Sequence, residues 1–141
     1  MTHPLIISVS GLRGIVGDSL TPEVAHRYAA AFAELLPPGP VLIARDGRAN
    51  GPALLAPVWA GLSQGGSRPI LNAGVAATPT VGVLVCHHRC AGGIQISASH
   101  NPAKYNGLKL FSAEGRVVPA QFGQRVLERF QEFGKQGPVS P

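Results

Sequence analysis

The chain has 141 residues, of which 45% are hydrophobic, so it is long enough and apolar enough to form one domain with a buried core. Twelve Lys and Arg side chains outnumber seven Asp and Glu side chains, which gives a net charge of +5. No apolar run approaches the roughly 18 residues that a membrane span needs, and the N-terminus lacks the features of a signal peptide. We therefore expect a cytoplasmic protein with no membrane segment.

Basic residues are spread through glycine-rich loops rather than gathered in a run, and aromatic residues make up only 6% of the chain. The basic loop residues are Arg13, Arg45, Arg48, Lys104 and Lys109. A nucleic-acid surface built on base stacking needs aromatic side chains among the basic ones. The sequence therefore favours a small phosphorylated ligand and argues against nucleic acid.

The first part of the chain begins with a strand and continues into a helix. Residues 5–9 are apolar and β-branched, which predicts a strand, and a glycine-rich loop is predicted at 10–18. Thr21 and Pro22 are typical of a helix N-cap and of a first helical position. The helix that they start is expected to end at the proline-rich stretch 37–40.

Two further strand–helix pairs follow in the middle of the chain. Short apolar runs at 41–44 and 68–74 predict buried strands. A charged loop at 45–51 joins the first of these strands to a helix predicted at 52–64. A third helix is predicted at 78–89, where a Thr-Pro pair has the pattern of a capped start.

The last part of the chain carries a polar loop between two strands and then a helix. Strands are predicted at 92–96 and 107–111 as partners of one hairpin, and the loop 97–107 joins them. The final helix has apolar residues at helical spacing, which predicts that it packs on a core. These residues are Phe122, Val126, Phe130 and Phe133. We expect a domain over 1–135, followed by a linker at 136–141.

The predicted order of elements is β-α-β-α-β-α-β-β-α. Strands that alternate with helices predict an α/β domain, here a three-layer α/β/α sandwich with a mostly parallel, mixed sheet. Loops after the carboxyl ends of such strands gather at one edge of the sheet, where ligands bind. The polar loops at 10–18, 45–51 and 97–107 are therefore the candidate ligand-binding segments.

Both cysteines lie in one short segment, Cys86-His87-His88-Arg89-Cys90. A metal or redox module is one interpretation, because Cys86 and Cys90 would share a face of a helix. However, the two adjacent histidines point in different directions, and no other Cys or His cluster completes a tetrahedral site. We therefore prefer a helix end with small buried thiols and exposed imidazoles.

Ser99 follows a predicted buried strand, so its hydroxyl is a candidate nucleophile. A Ser–His hydrolase is disfavoured, because the side chains of adjacent Ser99 and His100 diverge and the G-x-S-x-G pattern is absent. Phosphoryl transfer fits better, since cations can offset the charge of a phosphorylated serine. The candidate cations are Arg13, Arg48 and Lys109, and Lys109 is also a candidate acid or base.

The segment ISASHNPAKYNGLKLF, residues 96–111, resembles the phosphoserine loop of the α-D-phosphohexomutases. That family includes phosphoglucomutase, phosphomannomutase and phosphoglucosamine mutase, and its usual loop is T-A-S-H-N-P followed by Y-N-G-x-K. Here Ser97 replaces the threonine. Three other segments are similar to family motifs, in the right order: SVSGLRGIVGDSLTPE at 8–23, IARDGRANGP at 43–52 and GVAATPTVGVLV at 74–85. In the second of them, Ala44 and Asn50 depart from the family pattern.

The resemblance implies that Ser99 carries a phosphoryl group and passes it to a hexose phosphate, with a bisphosphorylated sugar as the intermediate. The reaction would interconvert hexose 1-phosphates and 6-phosphates. The catalytic residues implied by position are Ser99, Lys109, Arg13 and His100. The implied substrate-binding residues are Arg13, Ser99, His100, Asn101 and Lys109. The phosphate on Ser99 would also be one ligand of Mg²⁺.

The resemblance covers only the first of the family's four domains. The Mg²⁺ site of the family also needs a D-x-D-x-D loop, whereas the aspartates of this chain are Asp18 and Asp46, far apart in sequence. We therefore expect an N-terminal domain that is inactive by itself. Its expected partners are a hexose phosphate and the remaining domains of a longer protein.

Several alternatives stay open at this point. The chain could instead be a stand-alone module that binds sugar phosphates without turnover. Asp46 and Arg48 could support the loop rather than touch the substrate, and His100 and Asn101 could mainly shape it. The opening segment is most similar to that of phosphoglucosamine mutases and phosphomannomutases. However, the residues of the family that select the sugar lie in another domain.

Overall fold

The structure is a computed structural model, and the residues that it describes are 4–64, 66, 68–98 and 101–135. The predicted site residues Ser99 and His100 and the predicted linker 136–141 lie outside the described residues. The strands of the described part are β1 (Ile6–Ser8), β2 (Gly11–Ile15), β3 (Val41–Arg45), β4 (Ile70–Val75), β5 (Gly92–Ile96) and β6 (Tyr105–Ser112). Its helices are α1 (Pro22–Leu35), α2 (Pro52–Leu62), α3 (Thr78–His87) and α4 (Ala120–Lys135). None of these helices is both long enough and apolar enough to span a membrane.

The strands form one mixed sheet in the order β1-β2-β6-β5-β3-β4. β3 is parallel to both of its neighbours, β5 and β4, whereas β1, β2, β6 and β5 pair antiparallel along the other half of the sheet. Parallel neighbours need crossover connections, and helices α2 and α3 lie in those connections. The predicted α/β/α domain with a mixed sheet is confirmed. The expectation that the sheet is mostly parallel is wrong, because β3 makes the two parallel pairs, with β4 and β5, whereas the other three pairs are antiparallel.

Helices cover the two faces of the sheet unequally. On one face, α1 packs between α2 and α4, and a large core forms with sheet residues such as Ile43 and Ile94. On the other face, α3 packs against β3 and β5 over a smaller core that contains Val85. The β1 and β2 side chains on this second face, Ile6 and Arg13, are exposed. The part of the second face that is formed by β1 and β2 is therefore open.

Two helix predictions are confirmed in detail. Oγ1 of Thr21 accepts a hydrogen bond from the main-chain N–H of Val24 at 3.2 Å, and Pro22 is the first residue of α1. The predicted apolar stripe of α4 faces the core, where Val126 is completely buried. The ring of Phe130 makes an edge contact with that of Tyr28 in α1, at 5.5 Å between centroids. These contacts attach α4 to α1.

The prediction of a loop at 10–18 is wrong in part, because Gly11–Ile15 forms strand β2. Glycine inside a strand often marks a close approach of two backbones. Here a Cβ atom on Gly11 would collide with the carbonyl oxygen of Leu108 in β6. The glycines of this segment thus indicate close packing between strands. Arg13 lies in strand β2 rather than in a loop.

The predicted capping role of Thr78 is also wrong, because Ala77 occupies the N-cap position of α3. The hydroxyl of Thr78 instead donates to Oε1 of Gln95 in β5 at 2.7 Å. Gln95 is 1% exposed, and its Nε2 donates to the carbonyl of Ala76 at 3.0 Å. Since buried polar groups need such partners, these bonds tie the start of α3 to the sheet.

Candidate functional site

An open cleft of about 180 Å³ lies between the β1–β2 hairpin, β6 and the loop that follows β5. Among the described residues, its polar lining consists of Ser8, Ser10, Arg13, Ser97, Asn101 and Lys109. The cleft therefore brings together Arg13, Asn101 and Lys109, which are three of the predicted substrate-binding residues. Ala98, which directly precedes Ser99 in the chain, lines the cleft as well.

The pairing of β2 with β6 places the two cations of the cleft on one face of the sheet. In the antiparallel register, Lys109 is opposite Gly11 and Arg13 is opposite Gly107. Side chains at directly opposite and diagonal positions of such a pair share a face. Arg13 is exposed and Lys109 is half-buried. Two cations in this arrangement favour a phosphate over a neutral ligand.

Across the β2–β6 pair, each of the two cations has a glycine as its partner, so no opposing side chain lies on that side of it. The partners on the other side are Ile6 in β1 for Arg13 and Gln95 in β5 for Lys109. The backbone also requires the glycine opposite Arg13. A Cβ atom on Gly107 would collide with the carbonyl oxygen of Leu12 and would lie 2.9 Å from that of Ser97. The glycines thus keep β2 close to β6 and keep the cleft open between the basic side chains.

We expect Gly107→Ala to lower the free energy of unfolding by about 1–3 kcal/mol, the usual cost of forcing an extra carbon atom into a packed site. Urea unfolding of the chain, followed by circular dichroism, measures this difference. The matched control is Gly47→Ala, because Gly47 is exposed and a Cβ atom there would have no neighbour within 4 Å. Equal unfolding free energies of the two variants would contradict the close approach of β2 and β6.

Hydrogen bonds of Asn101 fold the loop after β5 into a turn. Nδ2 of Asn101 donates to the carbonyl of Ala98 at 2.7 Å, and the main-chain N–H of Asn101 donates to the same oxygen at 3.1 Å. Asn side chains commonly fix turns through such bonds to nearby backbone groups. Since Ala98 and Asn101 both line the cleft, cleft residues flank Ser99 and His100 on both sides in the sequence.

Arg48 does not line the cleft, although the sequence made it a candidate cation. Its Nε donates to Oδ2 of Asp46 at 3.3 Å, and its guanidinium donates to main-chain carbonyls of the loop between residues 101 and 105. The two alternatives for Arg48 were a cation for the ligand and a support for the loop. These contacts favour the support.

Sequence patterns do not identify three serines that line the cleft, namely Ser8, Ser10 and Ser97. Ser8 and Ser10 lie at the turn between β1 and β2, where the main-chain N–H of Ser10 donates to Oγ of Ser8 at 3.3 Å. The sequence offers one indication that these serines belong to the site: Ser8 and Ser10 are close in the chain to Arg13, and Ser97 is close to Ser99. Hydroxyl groups at the wall of a cleft can donate to and accept from a sugar or a phosphate.

Carboxylates and thiols of the described residues do not form a metal site of their own. In that part of the chain, no three His, Cys, Asp or Glu side chains lie close enough together to hold a metal ion. Both carboxylate oxygens of Asp46 accept hydrogen bonds from Arg48, and Asp18 is exposed in a turn. Cys86 is exposed in the last turn of α3, whereas Cys90 is buried, and burial raises the pKa of its thiol. The prediction of exposed imidazoles is confirmed for His87 and His88, and that of buried thiols is confirmed for Cys90 but wrong for Cys86.

Comparison with known families gives one match over nearly the whole chain. The family model described as phosphoglucomutase/phosphomannomutase, alpha/beta/alpha domain I, matches residues 5–136. This span contains all of the strands and helices that the structure describes.

Individual relatives and solved structures agree with the family model. A phosphoglucosamine mutase of Synechococcus sp. (strain RCC307) is 39% identical over 132 residues, which cover 93% of this chain and 28% of the relative. A phosphomannomutase of Klebsiella pneumoniae is 30% identical over 141 residues, which cover all of this chain and 89% of the relative. The crystal structure of a phosphoglucomutase/phosphomannomutase family protein from Burkholderia thailandensis has a TM-score of 0.76 and 27% identity, over 92% of this chain and 31% of that chain.

Proposed function

The chain belongs to the phosphoglucomutase/phosphomannomutase family, as its alpha/beta/alpha domain I, and on this premise we propose that it is the phosphoserine-bearing first domain of a hexose-phosphate mutase. The complete reaction would interconvert a hexose 1-phosphate and a hexose 6-phosphate. The observation that carries the proposal is the cleft, where the cations of Arg13 and Lys109 meet residues that flank Ser99 in sequence.

The proposed first step moves the phosphoryl group from Ser99 to the sugar. A sugar hydroxyl oxygen attacks the phosphorus, the bond from phosphorus to Oγ of Ser99 breaks, and a bisphosphorylated sugar forms. The Lys109 ammonium group donates a proton to the departing serine oxygen and takes up the proton of the attacking hydroxyl, so that its charge is unchanged at the end of the step. Arg13 stabilises the negative charge of the phosphoryl oxygens during the transfer.

The proposed second step runs in the opposite direction with the other phosphoryl group of the bisphosphate. Oγ of Ser99 attacks that phosphorus, and the bond from phosphorus to the sugar oxygen breaks. Lys109 donates a proton to the departing sugar oxygen and takes up the proton of the serine hydroxyl, and the phosphoserine is restored. The phosphate has then changed its position on the sugar, while the enzyme returns to its starting state. His100 and Asn101 complete the proposed substrate-binding set, and Asn101 also shapes the turn through its side-chain amide.

The phosphate on Ser99 is proposed to be one ligand of Mg²⁺, which would offset negative charge when bound there. A Mg²⁺ site needs several oxygen ligands, and the carboxylates among the described residues do not cluster to supply them. We therefore assign the other ligands to residues outside this chain. None of the steps above depends on them.

This chain spans only 28% of the Synechococcus mutase, so the proposal includes partners beyond it. Residues 1–135 are proposed to form the first domain, and 136–141 to begin the linker to the remaining domains of a longer protein. Without those domains, the chain should have no turnover. The substrate class is a hexose phosphate, and the names of the relatives make glucosamine phosphate and mannose phosphate the two candidates.

A chimera tests the proposal. This chain replaces the matching 132 residues of the Synechococcus phosphoglucosamine mutase, and turnover of glucosamine phosphate and of mannose phosphate is assayed for the chimera and for the chain alone. We expect turnover by the chimera and none by the chain alone. Intact mass spectrometry of the chimera should show one phosphoryl group per chain, and that group should be absent from the Ser99→Ala variant.

Two outcomes would overturn the proposal. The first is a folded chimera that has neither turnover nor a phosphoryl group, measured beside an active Synechococcus parent. The second is that calorimetry shows binding of hexose phosphates both to the chain alone and to the chimera, while the chimera has no turnover. That second result would favour the alternative of a stand-alone sugar-phosphate-binding module.

A further inference from the structure

We propose that Arg48 is a positioning residue that holds the main chain of the phosphoserine loop in place at the cleft. The catalytic part of this inference rests on the proposed function. Arg48 lies between β3 and α2, on a segment remote in sequence from Ser99. Its contacts nevertheless reach the stretch that directly follows Ser99 and His100 in the chain.

One guanidinium group binds three carbonyl oxygens of that stretch. Nη1 of Arg48 donates to the carbonyl of Pro102 at 2.7 Å and to that of Tyr105 at 3.0 Å, and Nη2 donates to the carbonyl of Asn101 at 2.7 Å. Hydrogen bonds from a charged donor are stronger than those between neutral groups. Since the side chain of Arg48 is only 13% exposed, water competes little for the part-buried bonds to Asn101 and Tyr105, whereas the bond to Pro102 lies at the surface.

Asp46 orients the guanidinium and anchors it to the strand before the loop. Its two carboxylate oxygens accept from the main-chain N–H of Arg48 at 3.1 Å and from Nε of Arg48 at 3.3 Å. The main-chain N–H of Asp46 donates to the carbonyl of Ile96, the last residue of β5, at 3.0 Å. Asp46 and Arg48 thus bind the chain both before and after Ser99.

Asn50 adds another attachment to the same loop, although it departs from the family pattern. Its Nδ2 donates to the carbonyl of Ala103 at 3.1 Å, and its Oδ1 accepts from Nδ2 of Asn106 at 2.8 Å. Asn106 is completely buried at the start of β6. We refer to Asp46, Arg48 and Asn50 together as the loop clamp.

The loop clamp acts on the geometry of the cleft rather than on its charge. The clamped stretch begins at Asn101, which lines the cleft while Arg48 does not. Misplacement of a reacting group by about 1 Å can cost on the order of 10²-fold in rate. A lysine in place of Arg48 keeps the charge but lacks the planar fork that binds several carbonyls at once. The variant Arg48→Lys therefore separates position from charge.

Hydrogen exchange in the chain tests the clamp without any reference to activity. The main-chain N–H groups of Asn101 and Tyr105 donate within the loop, to the carbonyls of Ala98 and Pro102 at 3.1 and 2.9 Å. In Arg48→Lys we expect both amides to exchange about tenfold faster than in the unsubstituted chain, because charge-assisted bonds that hold the loop are lost. The matched control is Arg116→Lys, since Arg116 is an exposed arginine away from this loop.

Turnover of the chimera defined above tests the catalytic consequence. For Arg48→Lys we expect kcat to fall on the order of 10²-fold while KM for the hexose phosphate changes little. Arg116→Lys should leave both constants unchanged. Circular dichroism at the assay temperature verifies that each variant is folded, so that a loss of folded protein is not mistaken for a loss of rate.

The outcomes separate the clamp from the proposed function. Equal exchange of Asn101 and Tyr105 in Arg48→Lys and in Arg116→Lys would show that Arg48 does not hold the loop. Faster exchange with an unchanged kcat would show that the loop is held but that its position does not limit catalysis. Either result overturns the inference, whereas absence of turnover in the unsubstituted chimera counts against the proposed function itself.

Discussion

The Ser99→Ala variant of the chimera is expected to lose turnover down to the background rate and to carry no phosphoryl group. In the proposed mechanism, the serine oxygen is the atom that accepts and donates the phosphoryl group, and no other atom of the protein takes this role. Binding of the hexose phosphate should persist, because the cations of Arg13 and Lys109 remain in the cleft. Turnover assays, calorimetry and intact mass spectrometry measure the three properties separately.

The matched control for this variant is Ser63→Ala, because Ser63 is an exposed serine at the end of α2, outside the cleft. It should retain both the turnover and the phosphoryl group of the unsubstituted chimera. A Ser99→Ala variant that still carried a phosphoryl group, or that still turned over its substrate, would place the covalent chemistry on another residue.

For Lys109→Gln in the chimera, we expect kcat to fall about 10²–10⁴-fold, the usual contribution of one general acid or base. The structure places this half-buried lysine in the cleft, opposite Gly11 and on the same face of the sheet as Arg13. Steady-state kinetics with the hexose phosphate measure the effect. Lys104→Gln is the matched control, since Lys104 is an exposed lysine that does not line the cleft.

The variant Lys109→Arg distinguishes proton transfer from simple charge. Arginine keeps the positive charge but does not release its proton in proteins. If Lys109 transfers a proton, Lys109→Arg should be as slow as Lys109→Gln. A Lys109→Arg variant with a kcat near that of the unsubstituted chimera would reduce the role of Lys109 to electrostatic stabilisation.

Much of the fold follows from local patterns in the sequence. The start of α1 is predictable because a Thr-Pro pair satisfies the free N–H groups of a first helical turn, and Thr21 does so here. The hairpin of β5 and β6 is predictable from two apolar runs around a polar loop, and the structure pairs them. Both features depend on residues that are close together in the chain.

The features that sequence patterns missed depend on contacts between remote segments. A glycine pattern in the sequence does not distinguish a loop from a strand that packs closely against another strand. At Gly11 a glycine is required because the carbonyl oxygen of Leu108 occupies the space that a Cβ atom would need. In the same way, a basic residue in a polar loop is a candidate phosphate ligand until its partners are known. Besides Asp46, the side chain of Arg48 has carbonyl partners more than fifty positions away, which no local pattern encodes.

The pairing of β2 with β6 has a consequence for the order in which the domain assembles. It joins the two ends of the domain in sequence, so it closes a long loop of chain and is entropically costly to form early. Arg13 and Lys109 come together only through this pairing, whereas α1, β3 and α2 can form and pack without it. During synthesis, the cleft is thus completed only after β6 has emerged. Detachment of β6 from a finished domain would remove Lys109 and the end of the clamped loop together, so the cleft is present or absent as a unit.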